Sequence, residues 1–235
     1  MSAQVRIVLI DPSHPGNIGS AARAMKNMRL NDLVLVRPRA FPHSEATALA
    51  AGAEDVLAAA RVVDTVPDAL ADCGMVAATT SRPRSLHWEF STPRELAGRI
   101  NALDSSITAA LLFGSERYGL ANEDLQYCNV LVRIPANPEY SSLNLAMAVQ
   151  LLAYEIFVAR DQPRTVVQLE APLATGKELE YFYTHLSQVL REIRFEDRTG
   201  LLMDRLRRLF NRTQLDQNEL NILRGILSAI QAPNS

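Results

Sequence analysis

An α/β fold is what this 235-residue sequence predicts: a Rossmann-like, mostly parallel sheet followed by a small all-helical extension. Three observations lead there. Short apolar runs alternate with helical patterns over the first two thirds of the chain. The runs are continuously apolar, as strands covered on both faces are. After a stretch at 161–175 that contains Pro163 and Pro172 and shows no period, the pattern is wholly helical. The chain therefore divides into a sheet domain at 1–160, a linker at 161–175 and a helical extension at 176–235.

Val5–Ile10 is apolar and closed by Asp11-Pro12, the mark of a buried strand. Ser13–Gly19 reads as a turn-rich loop, and Ser20–Met28 as a helix of strong formers. Leu33–Val36 is the next strand, Thr47–Ala60 a helix interrupted at Gly52, and Val62-Val63 a minimal strand. Pro67–Ala71 is a short helix with proline at its start. Met75–Thr79 is a strand that runs into Thr79-Thr80-Ser81, and Arg82–Thr92 an irregular loop. Pro93–Leu103 is helical, Thr108–Phe113 a strand, Gly114–Leu120 a loop, and Asn122–Gln126 a turn or two of helix. A strand at Val130–Ile134 then meets Pro135 and Pro138, which bar a regular element. A helix runs from Leu143 to about Arg160. In the extension, Leu179, Phe182, Tyr183, Leu186, Val189, Leu190 and Ile193 share one helical face, and helices at Leu201–Phe210 and Leu215–Ile230 follow.

In parallel sheets, ligands bind beyond the carboxyl ends of the strands. Three polar loops follow strand ends here, at Thr79–Ser81, Gly114–Leu120 and Pro135–Asn144, and Ser13–Gly19 follows a fourth. The stretch Ile134–Gln150 joins a strand end, a rigid polar loop and a helix start, which makes either a ligand site or a plain connection with Ser142 as helix cap. In the first loop Gly16 and Gly19 would let backbone approach a ligand, with Arg23 one turn into the helix. Together these features imply an anionic substrate held by Arg23 and a neutral ligand gripped by loop backbone.

Several chemistries lack their residues. The sequence has no GxGxxG, no GxxxxGK[ST] and no GxSxG. His14, His43, His87 and His185 stand in no ligand spacing, so no metal is expected. No apolar stretch approaches a membrane span, the N-terminus lacks a signal-peptide pattern, and Cys73 and Cys128 are far apart, which points to reduced thiols in the cytoplasm. Net charge is −2, so bulk charge gives no sign of nucleic acid, but all basic residues except Lys26 and Lys177 are arginine. Arginine suits phosphate and stacks on bases, although a GC-rich coding genome gives the same bias. Seven arginines lie between Arg191 and Arg212, diluted by four acids.

NIGSAAR at Asn17–Arg23, LLFGSERYGL at Leu111–Leu120 and IPANPEYSSLNLAMAVQ at Ile134–Gln150 resemble the three signature motifs of the SpoU branch of the SPOUT methyltransferases. Any one alone is a weak signal; three in order are specific. The likeness extends to the N-terminal strand and helix, to ALAAGAEDV at Ala48–Val56 and to the C-terminal RLRRLF and ELNILRGIL segments, which resemble tRNA-modifying members. It is weakest over Asp161–Thr175.

The resemblance implies a C-terminal trefoil knot in the sheet domain, which chain physics would not suggest. It implies S-adenosyl-L-methionine as methyl donor, held by Thr79, Thr80, Ser81, Gly114, Ile134, Ser141, Ser142 and Leu143. It implies a homodimer with sites built from both protomers. The substrate would be the ribose 2′-hydroxyl of nucleotide 32, cytidine or uridine, in a tRNA anticodon stem-loop. Arg23 would hold the target phosphate and orient the hydroxyl, with Asn17, Glu116, Ser142 and Asn144 positioned around it. The RNA-facing arginines would be Arg23, Arg82, Arg84, Arg205, Arg207 and Arg208. Two other readings stay open: an rRNA 2′-O-methyltransferase of the same fold, and a catalytically silent RNA-binding module.

Overall fold

The computed structural model describes residues 3–80, 88, 90–163, 169–195, 197 and 200–232. Seven strands form one sheet: β1 (Gln4–Ile10), β2 (Asp32–Val36), β3 (Arg61–Val63), β4 (Cys73–Thr79), β5 (Phe90–Ser91), β6 (Thr108–Phe113) and β7 (Val130–Val132). Their order is β3-β2-β1-β6-β4-β7-β5, and every pairing is parallel. Side chains alternate between two apolar layers, as the pleat requires. Ile7, Leu9, Leu111 and Phe113 face one core, and Val8, Ile10, Ala110 and Leu112 the other. The first core is covered by α1 (Pro15–Asn27), α2 (Ser44–Ala50), α3 (Glu54–Ala58), α5 (Pro93–Ala102) and α7 (Leu145–Arg160). The second is covered by the short α4 (Val66–Leu70) and α6 (Asn122–Leu125).

The order places β1, β6, β4 and β7 side by side, so the loops after all four emerge at one edge. That is what draws the polar loops of the sequence together.

Two elements differ from the sequence expectation. Helix α1 begins at Pro15, so Asn17 and Gly19 lie inside it, not in a loop. Proline at the helix start has a preset φ and no N–H to lose, so the run that looked turn-rich initiates a helix. Gly19 serves packing: a Cβ there would lie 2.0 Å from the Ala46 carbonyl oxygen, so its absence lets α1 seat directly on α2. Second, Phe90–Ser91 is a strand paired with β7, inside the stretch expected to be irregular. Ser81, Arg82 and Arg84 lie outside the described residues.

Helices α8 (Gly176–Glu192), α9 (Leu202–Thr213) and α10 (Gln217–Gln231) enclose their own core of Phe182, Tyr183, Leu186, Val189, Leu215, Leu220 and Leu227. Phe210 meets Phe182 edge-to-face at 5.1 Å. Buried Asn211 fastens this unit to the sheet domain. Its side-chain amide nitrogen donates to the Gln126 carbonyl at 2.7 Å, its backbone carbonyl accepts from Asn129 Nδ2 at 2.8 Å, and Tyr183 Oη donates to its Oδ1 at 2.6 Å. A buried amide with its groups this fully paired specifies one docking geometry.

Candidate active site

The loops after β4, β6 and β7 enclose a cleft of about 830 Å³, counting its open mouth. Thr79, Thr80, Gly114, Glu116, Ile134, Ser141, Ser142 and Leu143 all line it. These are every described residue expected to hold the methyl donor, together with Glu116. Phe113, Val132, Leu145 and Ala148 add apolar wall, and Arg117, Gly119 and Leu120 close one side. Sequence reasoning left these out because they look like core or like plain loop. Their signal was their place in or beside the motifs: Phe113, Arg117, Gly119 and Leu120 lie in Leu111–Leu120, Leu145 and Ala148 in Ile134–Gln150, and Val132 just before.

Each loop has a local cause. Thr79 Oγ1 donates to the Leu112 carbonyl at 3.1 Å and Thr80 N–H to the Val132 carbonyl at 3.0 Å, so the end of β4 is tied to both neighbours. The loop after β6 folds back on itself: Gly119 N–H donates to the Ser115 carbonyl at 2.8 Å, with Gly119 at φ 66°. A residue with a side chain is strained at that angle. The loop after β7 ends at Asn144, whose Oδ1 accepts the Ala146 and Met147 N–H groups at 2.9 and 3.3 Å. Asn144, not Ser142, therefore caps α7. The cap also consumes N–H groups that an open helix N-terminus would offer an anion.

A chain of hydrogen bonds joins the three motifs. Asn144 Nδ2 donates to Asn17 Oδ1 at 2.9 Å, and Asn17 Nδ2 donates to Glu116 Oε1 at 2.8 Å. Glu116 also accepts from Ser13 N–H at 2.9 Å, Ser13 Oγ at 2.6 Å and His14 N–H at 3.2 Å. Burial alone would raise the Glu116 pKa. The donors from Asn17 and Ser13 outweigh burial and hold it at about 2, against an ordinary 4.5. The carboxylate is thus a fixed acceptor that sets the direction of both asparagine amides. It is not a free base.

The depressed pKa fixes the sign of a pH effect. The Glu116 contribution to stability is complete above the unfolded-state value near 4.5 and is lost as pH falls toward about 2. Glu116→Gln turns an NH2 toward groups that already donate, and charged hydrogen bonds of this kind are worth enough that activity should fall about tenfold. Thermal melts should show wild type losing more stability than Glu116→Gln on acidification through that window. Parallel curves would remove the assignment.

Arg23 stands apart. It is exposed on α1, lines no part of the cleft and has no hydrogen bond or ion pair among the described residues. Of the C-terminal arginines, Arg205 is exposed. Arg207 is turned inward, against its expected RNA-facing role: its Nη2 donates to Glu180 Oε2 at 2.9 Å and its guanidinium lies 4.3 Å from the Tyr183 ring centre. Its charge is already matched, so it braces α9 on α8. Among the described residues no group of three His, Cys, Asp or Glu could hold a metal, and no helix is long and apolar enough to cross a membrane.

The sequence profile of the SpoU rRNA methylase family matches residues 4–154, and that of the tRNA methyltransferase TrmJ C-terminal domain matches 177–235. The chain belongs to the SpoU methylase family. The family relationship runs the full length of the chain. The tRNA (cytidine/uridine-2′-O-)-methyltransferase TrmJ of Citrobacter koseri is 49% identical, covering 100% of this chain and 99% of the relative. The protein of the same name from Yersinia pestis is 50% identical over 98% of this chain and 93% of the relative. The crystal structure of TrmJ from Z. mobilis ZM4 superposes with a TM-score of 0.87 at 38% identity, over 98% of this chain and 100% of that one. Both the sheet domain and the docked helical unit are therefore family features.

Proposed function

We propose that this protein transfers a methyl group from S-adenosyl-L-methionine to the ribose 2′-hydroxyl of cytidine or uridine at nucleotide 32 of a tRNA anticodon loop. It does so as a homodimer in the cytoplasm, with the knotted sheet domain (residues 1–160) as catalytic unit. The observation that carries the reading is the cleft. The described family-matched residues of two motifs and of the loop after β4 meet there, in a chain whose full length matches tRNA 2′-O-methyltransferases.

The cleft suits the methyl donor. Its loops are rich in backbone and hydroxyl groups, and its wall of Phe113, Val132, Leu145 and Ala148 is apolar, as an adenine face and a methionine chain require. S-adenosylmethionine, when bound, supplies an electrophilic methyl on a sulfonium. The protein then has to bring the 2′-oxygen in line and manage its proton. No described cleft residue is a ready base, since Glu116 is saturated with donors. Arginine effectively never deprotonates, so Arg23 serves by holding the target phosphate and orienting the hydroxyl. The proton leaves late, to that phosphate or to water.

Arg23 reaches a cleft if the molecule is a dimer. Helix α7 presents Met147, Leu151, Tyr154 and Val158 at helical spacing, exposed by 62%, 42%, 50% and 37%. A contiguous apolar stripe of this kind marks an interface. We assign it to a second copy of the chain and assign Arg23 to the partner's cleft.

For the RNA body, Arg205 and Arg212 are exposed on α9. Charge reversal of both should weaken tRNA binding and lower the slope of log K against log salt by about one per lost phosphate contact. An unchanged slope would make α9 a structural surface only.

The deciding experiment is mass spectrometry of nucleosides from tRNA incubated with the protein and S-adenosylmethionine. The expected product is a 2′-O-methylpyrimidine at nucleotide 32. Methylation of rRNA alone, or no methylation, would overturn the reading.

A further inference from the structure

The loops after β6 and β7 each carry an exposed tyrosine directly beside residues that line the cleft. Tyr118 stands between Arg117 and Gly119, and Tyr140 precedes Ser141. They are 61% and 78% exposed. The Tyr118 ring is already partnered, with the Arg117 guanidinium 5.1 Å from its centre. The Tyr140 side chain makes no hydrogen bond or ring contact among the described residues, although its backbone is held firmly. Tyr140 N–H donates to the Asn137 carbonyl at 2.9 Å, and Glu139 N–H to Asn137 Oδ1 at 3.0 Å. Pro135 and Pro138 stiffen the same turn. A rigid turn thus presents a large amphipathic ring to solvent at the mouth of the cleft, where apolar exposure has a cost unless a ligand covers it.

We propose that Tyr140 is the platform on which the base of the target nucleotide stacks. The proposal deepens the tRNA methyltransferase reading and rests on it. Bases in RNA loops are unstacked and available, and proteins take them on aromatic faces. A base on Tyr140 has its ribose next to Ser141 and Ser142, which line the cleft. Every base has a π face, so stacking holds cytidine and uridine alike and orients the nucleotide without choosing between them. The ring is uncommitted among the described residues of its own subunit, and the serines beside it belong to the cleft. That separates it from the α7 stripe, whose first member, Met147, follows the Asn144 cap.

The test compares wild type with Tyr140→Ala and Tyr140→Phe in single-turnover methylation of tRNAs bearing C or U at the target. Calorimetric binding of S-adenosylmethionine and sedimentation are run on each. Tyr140→Ala should lose about tenfold or more in kcat/KM for tRNA. The loss should be equal for both bases, with cofactor affinity and dimerisation at wild-type values, and Tyr140→Phe should restore the rate. Wild-type activity of Tyr140→Ala would overturn the proposal. So would a Phe variant as poor as Ala, since the hydroxyl and not the ring would then matter. Loss of cofactor affinity or of the dimer in Tyr140→Ala would also overturn it, by assigning the ring to the cofactor loop or to the subunit interface. A wild-type protein that methylates no tRNA would remove the parent reading, and this proposal with it.

Discussion

Gly114→Ala is expected to weaken S-adenosylmethionine binding about a hundredfold while leaving the chain folded. A Cβ at this position would lie 2.1 Å from the Gly119 carbonyl carbon, 2.3 Å from the Leu120 nitrogen and 2.4 Å from the Gly119 oxygen. All three are backbone atoms, so no flexible side chain can yield. The loop would have to open, breaking the Gly119–Ser115 hydrogen bond and moving Glu116, Arg117 and Leu120 away from the cleft. Overpacking of this kind costs about 3 kcal/mol, which taken from binding is a loss of about a hundredfold. The sheet beneath should survive, because β6 pairs with β1 and β4 through residues that precede Gly114. Calorimetric titration with the cofactor, alongside a thermal melt, checks both halves. Wild-type affinity would show that the loop is not the cofactor wall.

The same glycine shows what could be read from the sequence. Its place after a continuously apolar run marked a strand-end loop, and the alternation of runs and helices is enough to predict a parallel sheet. The convergence of three loops followed from that prediction alone. What the sequence could not carry was strand order. β5 has two residues and exists only because β7 lies beside it, so no local period announces it. The start of α1 was hidden because Pro15, Gly16 and Gly19 are turn formers in isolation. Here proline begins the helix, and Gly19 answers to Ala46 on another helix. Propensity is local, and these choices are tertiary.

The site divides the same way. Residues that line the cleft from their own loop, such as Ser141 and Ser142, were legible from motif and position. Residues that act through a distant partner were not. Ser13 matters because it meets Glu116 across 103 positions of sequence. Arg207 belongs to an arginine-rich run, yet Glu180 on α8 claims it. An arginine count cannot separate a charge offered to solvent from one matched inside. Asn144 lay between: its helix-cap role is a local rule, while its bond to Asn17 needed the fold.

Arg23→Ala should reduce methylation at saturating tRNA and cofactor by at least about a hundredfold, the usual cost of removing a preorganised electrostatic group from a transition state. Cofactor affinity should be unchanged, because Arg23 lines no part of the cleft in its own subunit. The position of Arg23 makes a sharper result available. If it serves the partner's cleft, an Arg23→Ala subunit can still bind cofactor and lacks only the arm that it offers to its partner. A Gly114→Ala subunit has the opposite defect. Each homodimer is nearly inactive at cofactor levels that saturate only a wild-type cleft, but a mixed dimer contains one cleft with both cofactor and arginine. Random mixing makes half the dimers mixed with one working site each, so about a quarter of wild-type activity should return. Mixed dimers confirmed by native mass spectrometry that stay inactive would place Arg23 in the service of its own subunit. The exposed stripe of α7 would then not serve to bring Arg23 to a second cleft.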